Sequence, residues 1–338
     1  MSEDQKELDK LIDEAIDSKD IAERVLNHGY VKFIEGWGGG TVEDPEAGII
    51  EAARQSTQGS FRGWDRDERL LRYLFNSDPP HATPFEFAGM TIEVQAPIFV
   101  FREWHRHRTQ SYNEMSARYE QLPPLWYIPK VANLLERSQK AFETANKQAG
   151  VDKSAVLLTE ENAEKFRLGL EADCKRFAKK YDTSLSNGVP RELARCGMPV
   201  CYFSRMRACA NLRNWLAFLT LRMDPGAQWE IRQFANAVGR IVAEQFPRTW
   251  NLFERKRNLS GPVSVKPGPD QWFDFPQGKG VWVASEVSTM GYANVYQVDH
   301  FSEDDSLRFW DSEKDEWLPV EMMDPVRYFQ LKVDVSNV

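Results

Sequence analysis

Residues Arg106–Arg118 read R-H-R-T-Q-S-Y-N-E-M-S-A-R and follow closely on the apolar run Ala96–Phe101. The stretch places three arginines, a histidine, two serines, an asparagine and a glutamate in thirteen positions. Arginine and glutamate are almost never fully buried without partners, and no helical apolar repeat here would bury one face. The segment therefore cannot be core. A solvated basic loop is the plain alternative, but Tyr112, Met115 and Tyr119 interleave with the charges, and the preceding run must lie inside. A fold for this chain has to bring a buried element to the rim of a site and turn there. Basic forks at such a place suit anionic ligands, because guanidinium groups present paired donors to phosphate or carboxylate.

The remaining sequence fits a folded globular chain. Its 338 residues allow one large or two medium domains, and 42% apolar with 28% charged residues is ordinary for a soluble protein. The net charge of −8 is unevenly spread. Residues 1–23 carry nine acids against three lysines and residues 301–338 ten acids against four bases, so the middle carries about +4. The middle can attract a phosphorylated small molecule, whereas a nucleic-acid binder is more often basic throughout. No apolar run approaches the roughly 20 residues that span a bilayer, and the acidic N-terminus lacks the apolar core of a secretory signal. A cytoplasmic location, with no membrane partner, is expected.

Along the chain, Leu8, Leu11, Ile12, Ala15 and Ile16 predict an amphipathic helix over residues 2 to about 26, within an N-terminal segment 1–28. Tyr30–Glu35 and Thr91–Gln95 read as strands, Glu46–Gln55 and Asp65–Asn76 as helices. G-W-G-G-G after the first strand lacks the Lys-Ser/Thr ending of a phosphate loop and reads as a turn. Thr83, before Pro84 and Glu86, reads as a helix cap. Pro97 opens a short apolar helix to about His105. Residues 131–181 read as charged helices, broken near G-V-D-K-S and capped again at Thr159, decorating the surface. A helix is expected from Arg207 onward, with Leu212, Trp215, Leu216 and Leu219 on its apolar face, and another over Ala227–Phe246. Beyond about Arg257, runs such as V-W-V-A-S-E-V predict a small β-rich extension, 258–338.

His105 and His107 form H-x-H, but the arginines beside them repel a cation, so a hydrogen-bonding or stacked role is expected and no metal. Cys174, Cys196, Cys201 and Cys209 form no C-x-x-C pair, which argues against zinc and for reduced, mostly buried thiols. Five arginines (Arg191, Arg195, Arg205, Arg207 and Arg213) alternate with apolar residues and face one acid, Glu192, as guanidiniums aimed into a pocket or subunit interface would.

The spacing R-H-R-x-x-S-x-N-x-x-S-x-R, filled by Arg106, His107, Arg108, Ser111, Asn113, Ser116 and Arg118, resembles the signature of the flavin-dependent thymidylate synthases. The resemblance runs from about Tyr30 to about Phe253, through H-A-T-P-F-E at His81–Glu86, V-P-R-E-L-A-R at Val189–Arg195, and N-L-R, L-R-M-D and A-Q-W-E between Asn211 and Glu230. It implies an α+β fold, an antiparallel-sheet core with packed helices, forming a catalytic domain over residues 29–257. It also implies reductive methylation of dUMP to dTMP with methylenetetrahydrofolate, FAD and NADPH, in a homotetramer whose sites are shared between subunits. By resemblance, FAD is met by Ser56, His81, Thr83, Glu86, Arg106, His107, Arg108, Glu114, Asn211 and Arg213. The dUMP contacts implied are Glu103, Arg106, Glu114, Ser116, Arg118, Arg195 and Arg222, with Ser116 and Arg118 taking the phosphate from another subunit. Arg222 is the catalytic candidate: beside the uracil N3–O4 edge it would stabilise developing negative charge. The other thymidylate synthases use a cysteine that follows a proline. Here the residues before the four cysteines are Asp173, Arg195, Val200 and Ala208, so that signature is missing.

Two positions depart from the family pattern. Glu103 stands where many relatives place glutamine and calls for a cationic partner, Arg102 or Arg106; Ala217 stands where a polar residue often helps hold the flavin. Two other readings remain open: a same-fold flavoprotein acting on another pyrimidine nucleotide, and a binding module for single-stranded nucleic acid.

Overall fold

The computed structural model describes residues 21–39, 43–121, 123–143 and 155–260, the last three as backbone only, and the backbone of four later strands. The chain divides into two units, Met1–Thr249 and Trp250–Val338. The first is built on a five-stranded sheet, every pairing antiparallel, in the order β1-β2-β3-β5-β4. Its strands are β1 (Ala22–Val25), β2 (Gly29–Trp37), β3 (Gly89–Pro97), β4 (Ser111–Glu114) and β5 (Phe203–Asn211).

Alternation explains why β3 is central. Met90, Ile92, Val94 and Ala96 are fully buried on one face, matched across the register by Met206, Ala208 and Ala210 of β5. The other face carries Thr91, Glu93 and Gln95, each answered: Thr91 donates to Glu35 at 3.2 Å, Tyr30 donates to Glu93 at 2.8 Å, and Gln95 donates to the His28 carbonyl at 2.7 Å. A bulge between Phe33 and Glu35 lets β2 follow the twist. Gly29 is obligatory at the β1–β2 turn, because a Cβ there would meet the Val25 carbonyl and the Phe234 ring at under 3 Å.

The apolar face is covered by helices. α1 (Ala47–Arg54) buries Ala47, Ile49 and Ile50, and α2 (Trp64–Asn76) buries Leu71 and Leu74. The short α3 (Ile98–Trp104) leaves the end of β3 directly. α4 (Val131–Glu143), α5 (Glu160–Ser186) and the one-turn α6 (Arg191–Ala194) precede β5. α7 (Leu212–Arg222) and α8 (Trp229–Gln245) follow it; α8 buries Ile231, Phe234, Ala235, Ala237, Val238, Ile241 and Val242. α9 (Pro247–Ser260) begins at the end of the first unit. Its first turn is answered from far upstream: the fully buried Glu46 accepts from the Thr249 amide at 2.6 Å and the Arg248 amide at 3.1 Å. Burial pushes the Glu46 carboxyl above its ordinary value, while the bonds from Thr249 and Arg248 pull the other way.

Several expectations change. Residues 22–25 form an edge strand against β2, not the end of an N-terminal helix, because Glu23 and Val25 alternate onto Val31 and Gly29; residues 1–20, with the expected helix, lie outside the described residues. The helix expected from Arg207 begins at Leu212, since Met206, Ala208 and Ala210 keep a period of two that satisfies β3. Thr159 caps α5, its side chain accepting from the Asn162 amide, but α5 is no surface decoration. Cys174, Phe177 and Tyr181 on one of its faces join Leu125, Tyr127, Cys201, Tyr202 and Phe203 in a second core cluster. Cys174 and Cys201 are buried there with sulfurs 3.4 Å apart, whereas Cys196 is exposed. In the second unit, β6 (Val281–Val287) pairs with β7 (Ala293–Val298), and β8 (Arg308–Asp311) with β9 (Glu316–Pro319), the β character expected of the extension.

Candidate active site

The site grows from the end of β3. Pro97 is extended and fixes the entry to α3, whose Val100, Phe101 and Trp104 are buried. Trp104 stacks on Phe218 of α7 at 4.6 Å and donates to Gln110 at 3.0 Å. The chain then turns tightly, Arg106 N–H to the Glu103 carbonyl and His107 N–H to the Trp104 carbonyl, before β4 adds Ser111–Glu114 to the edge of β5. Tyr112 points inward opposite Ala208, and its hydroxyl donates to the His107 carbonyl at 2.7 Å. The signature segment is thus half turn, half strand, pinned by Tyr112.

α7 supplies the other wall. Asn211 caps it, accepting from the Asn214 amide at 3.0 Å, and Asn214 donates to the Thr109 carbonyl at 3.0 Å. The far end of α7 delivers Arg222. Its Nε donates to His107 Nε2 at 2.8 Å, Nη1 donates to Glu103 Oε2 at 2.9 Å and Nη2 donates to the Glu103 carbonyl at 3.1 Å. The Glu103 partner is therefore Arg222 and neither Arg102 nor Arg106, because the end of α7 reaches Glu103 directly. His107 accepts a bond and meets Phe218 edge-on at 4.9 Å, so it is the hydrogen-bonding histidine expected, while His105 meets Tyr112 edge-on at 4.9 Å. Burial, helped by the Arg222 charge, lowers the His107 pKa to about 4, so the ring is neutral near neutral pH. Burial raises the Glu103 carboxyl; Arg222 opposes this and Glu230 adds to it.

The other predicted residues divide by location. Glu86 and Arg213 form an ion pair that ties the 3-10 turn Thr83–Phe87 to the start of α7, beside Asn211. Thr83 is not a cap: Ala82 holds that position, and the Thr83 side chain caps nothing. His81 lies stacked on Tyr73 at 5.5 Å. Ser56 is exposed in the 3-10 turn after α1. Arg106, Arg108 and Glu114 are exposed, and their side chains make no hydrogen bond or ion pair among the described residues. Ser116 accepts from the Arg118 amide at 3.3 Å, and Arg118 pairs with Glu192 at 3.4 Å, both side chains about half exposed. Arg195 sits in the 3-10 turn Arg195–Gly197. One chain thus assembles Glu103–His107–Arg222 and Glu86–Arg213–Asn211. No hydrogen bond or ion pair among the described residues joins Ser116–Arg118 to either group.

Sequence reasoning missed Tyr112, Phe218, Tyr73 and Gln110 as supports. The pocket expected for the arginine-rich stretch is in part a groove of about 330 Å³ lined by Glu93, Asn113, Met115, Arg205, Met206 and Arg207, in which the buried Arg205 Nε has no hydrogen-bond partner among the described residues. The period-two spacing of Arg205 and Arg207 was the available signal. Among the described residues no three His, Cys, Asp or Glu side chains are grouped to hold a metal, and no helix is long and apolar enough to cross a membrane.

Residues 40–248 match the family model described as thymidylate synthase complementing protein. The chain is 35% identical over 256 residues to the flavin-dependent thymidylate synthase of Rickettsia bellii, covering 72% of this chain and 81% of that one. It is 34% identical to that of Thermus thermophilus, covering 68% and 77%. Among solved structures it is similar to the UMP/dUMP methylase PolB of Streptomyces cacaoi bound with 5-Br dUMP, with a TM-score of 0.56 and 28% identity over 69% of this chain and 97% of that one.

Proposed function

The chain belongs to the flavin-dependent thymidylate synthases, and from that premise we propose that it converts dUMP to dTMP, with methylenetetrahydrofolate as carbon donor, FAD as cofactor and NADPH as reductant. The observation that carries this reading is Arg222, brought by α7 to the turn after α3 and held between Glu103 and a neutral His107. A guanidinium there stabilises charge developing on the uracil edge, so no cysteine nucleophile is required.

The residues present fit a flavin. Arg106 and Arg108 are exposed cations whose donors no described protein group uses, which suits them to phosphates. Arg213, Asn211, Glu86, Thr83, His81, Ser56, His107 and Glu114 complete the proposed FAD set, with Tyr73 supporting the His81 ring. When bound, FAD supplies the hydride. Glu103, Arg106, Glu114, Arg195 and Arg222 are assigned to dUMP. Ser116 and Arg118 are assigned to the dUMP phosphate of a neighbouring subunit in a homotetramer, in keeping with their separation from Arg222 in one chain.

The test is a spectrum and a product. Purified protein should show oxidised flavin bands that NADPH bleaches, and should form dTMP from dUMP and methylenetetrahydrofolate. A colourless protein that binds oligonucleotides with steep salt dependence would overturn the reading. The similarity to a UMP/dUMP methylase supports a second reading, activity on another pyrimidine nucleotide, so UMP and dCMP belong in the same assay.

A further inference from the structure

Arg222 offers five N–H donors, and three of them are engaged: one by His107 and two by Glu103, through its carboxylate and its own carbonyl. All three acceptors lie on the end of α3 and the turn after it, so the fork is held edge-on against one short segment. The Arg222 side chain is 19% exposed and that of Glu103 29%, so the pair is only partly screened by water. Arg222 comes from the end of α7, with His107 on its other side. Glu230, in the first turn of α8, adds a second negative charge, itself engaged by Arg137 of α4, Tyr127 and Gln228. Arg102 and Arg106 on its own segment are exposed and unpaired with it.

We propose that Glu103, besides its place in the dUMP set, restrains Arg222: ionised, it competes with the substrate for the guanidinium, and neutralised, it releases the fork toward the nucleotide. This rests on the proposed function and adds a regulator to it. The carboxylate is a stronger acceptor than a neutral uracil oxygen, so a nucleotide that calls on the same donors must displace or share that contact. Burial raises the Glu103 pKa, so release begins at a higher pH than for an exposed glutamate. The restraint is therefore complete at high pH and lost as pH falls through the Glu103 titration.

The experiment compares wild type with Glu103→Gln and Glu103→Asp in steady-state dUMP turnover from about pH 8 to about pH 5.5. Glu103→Gln should lower KM for dUMP about fivefold at the upper end with a smaller change in kcat. The KM ratio to wild type should shrink toward one as pH falls, which cancels the titration of the dUMP phosphate. Glu103→Asp, which keeps the charge, should keep a KM above that of Glu103→Gln at the upper end. Equal KM values for Glu103→Gln and wild type across the range, or a KM for Glu103→Asp as low as that of Glu103→Gln at the upper end, would overturn the inference. A wild type that forms no dTMP would overturn the proposed function first, and the inference with it.

Discussion

Arg222 reaches Glu103 across 119 positions of sequence, and the contact puts a permanent positive charge beside a histidine that burial keeps neutral. Replacing Arg222 by alanine should lower kcat by about two to three orders of magnitude with unchanged circular dichroism. Lysine should not restore it, since an ammonium lacks the planar fork that can serve His107 and the uracil edge together. His107 gives a second prediction with a definite sign. Its pKa falls from an ordinary 6.5 to about 4 on folding, so its contribution to stability is present above about pH 6.5 and lost as pH falls toward 4. The melting temperature should drop across that window, and less steeply in His107→Asn. The spacing of Arg106 to Arg118 announced the site from sequence alone. The partner of Glu103 was not legible, because nothing local says which distant helix end arrives beside a given carboxylate.

At the scale of elements, strands and helices with one dominant period were readable. β2, α1, α2, α3 and α8 stand where apolar spacing, Pro97 and the bounding turns put them. Thr159 was readable as a cap because Thr followed by two glutamates leaves few other roles; Thr159→Ala should cost about 1 kcal/mol in urea unfolding and leave turnover unchanged. The junction at Asn211 was not readable. Apolar residues continue from β5 into α7 without a gap, and only the pairing with β3 decides where period two gives way to 3.6. α5 was misjudged for a related reason: its 27 residues are mostly charged or polar, and a narrow stripe that includes Phe177 and Tyr181 suffices to dock it. Phe177→Ala should therefore destabilise the protein by about 3 kcal/mol, more than any exposed change on the same helix, as chemical denaturation will show.

For the molecule as a whole, the proposed sharing of sites predicts complementation. Arg118→Ala and Arg222→Ala chains, each inactive alone, should regain turnover when co-assembled, because some sites then combine an intact Arg118 with an intact Arg222. The antiparallel core was legible as a class, and its strand order was not, since β4 lies inside a segment whose charges conceal a strand. One long-range tie has a consequence for how the chain is made. A ribosome releases position 46 some two hundred residues before positions 248 and 249, whose amides Glu46 awaits. Throughout that interval a carboxylate meant for a dry setting lacks these two amides, so translation products that stop short of α9 should be preferred prey for cellular proteases. A turn made late in the first unit completes the surroundings of the residue that precedes α1.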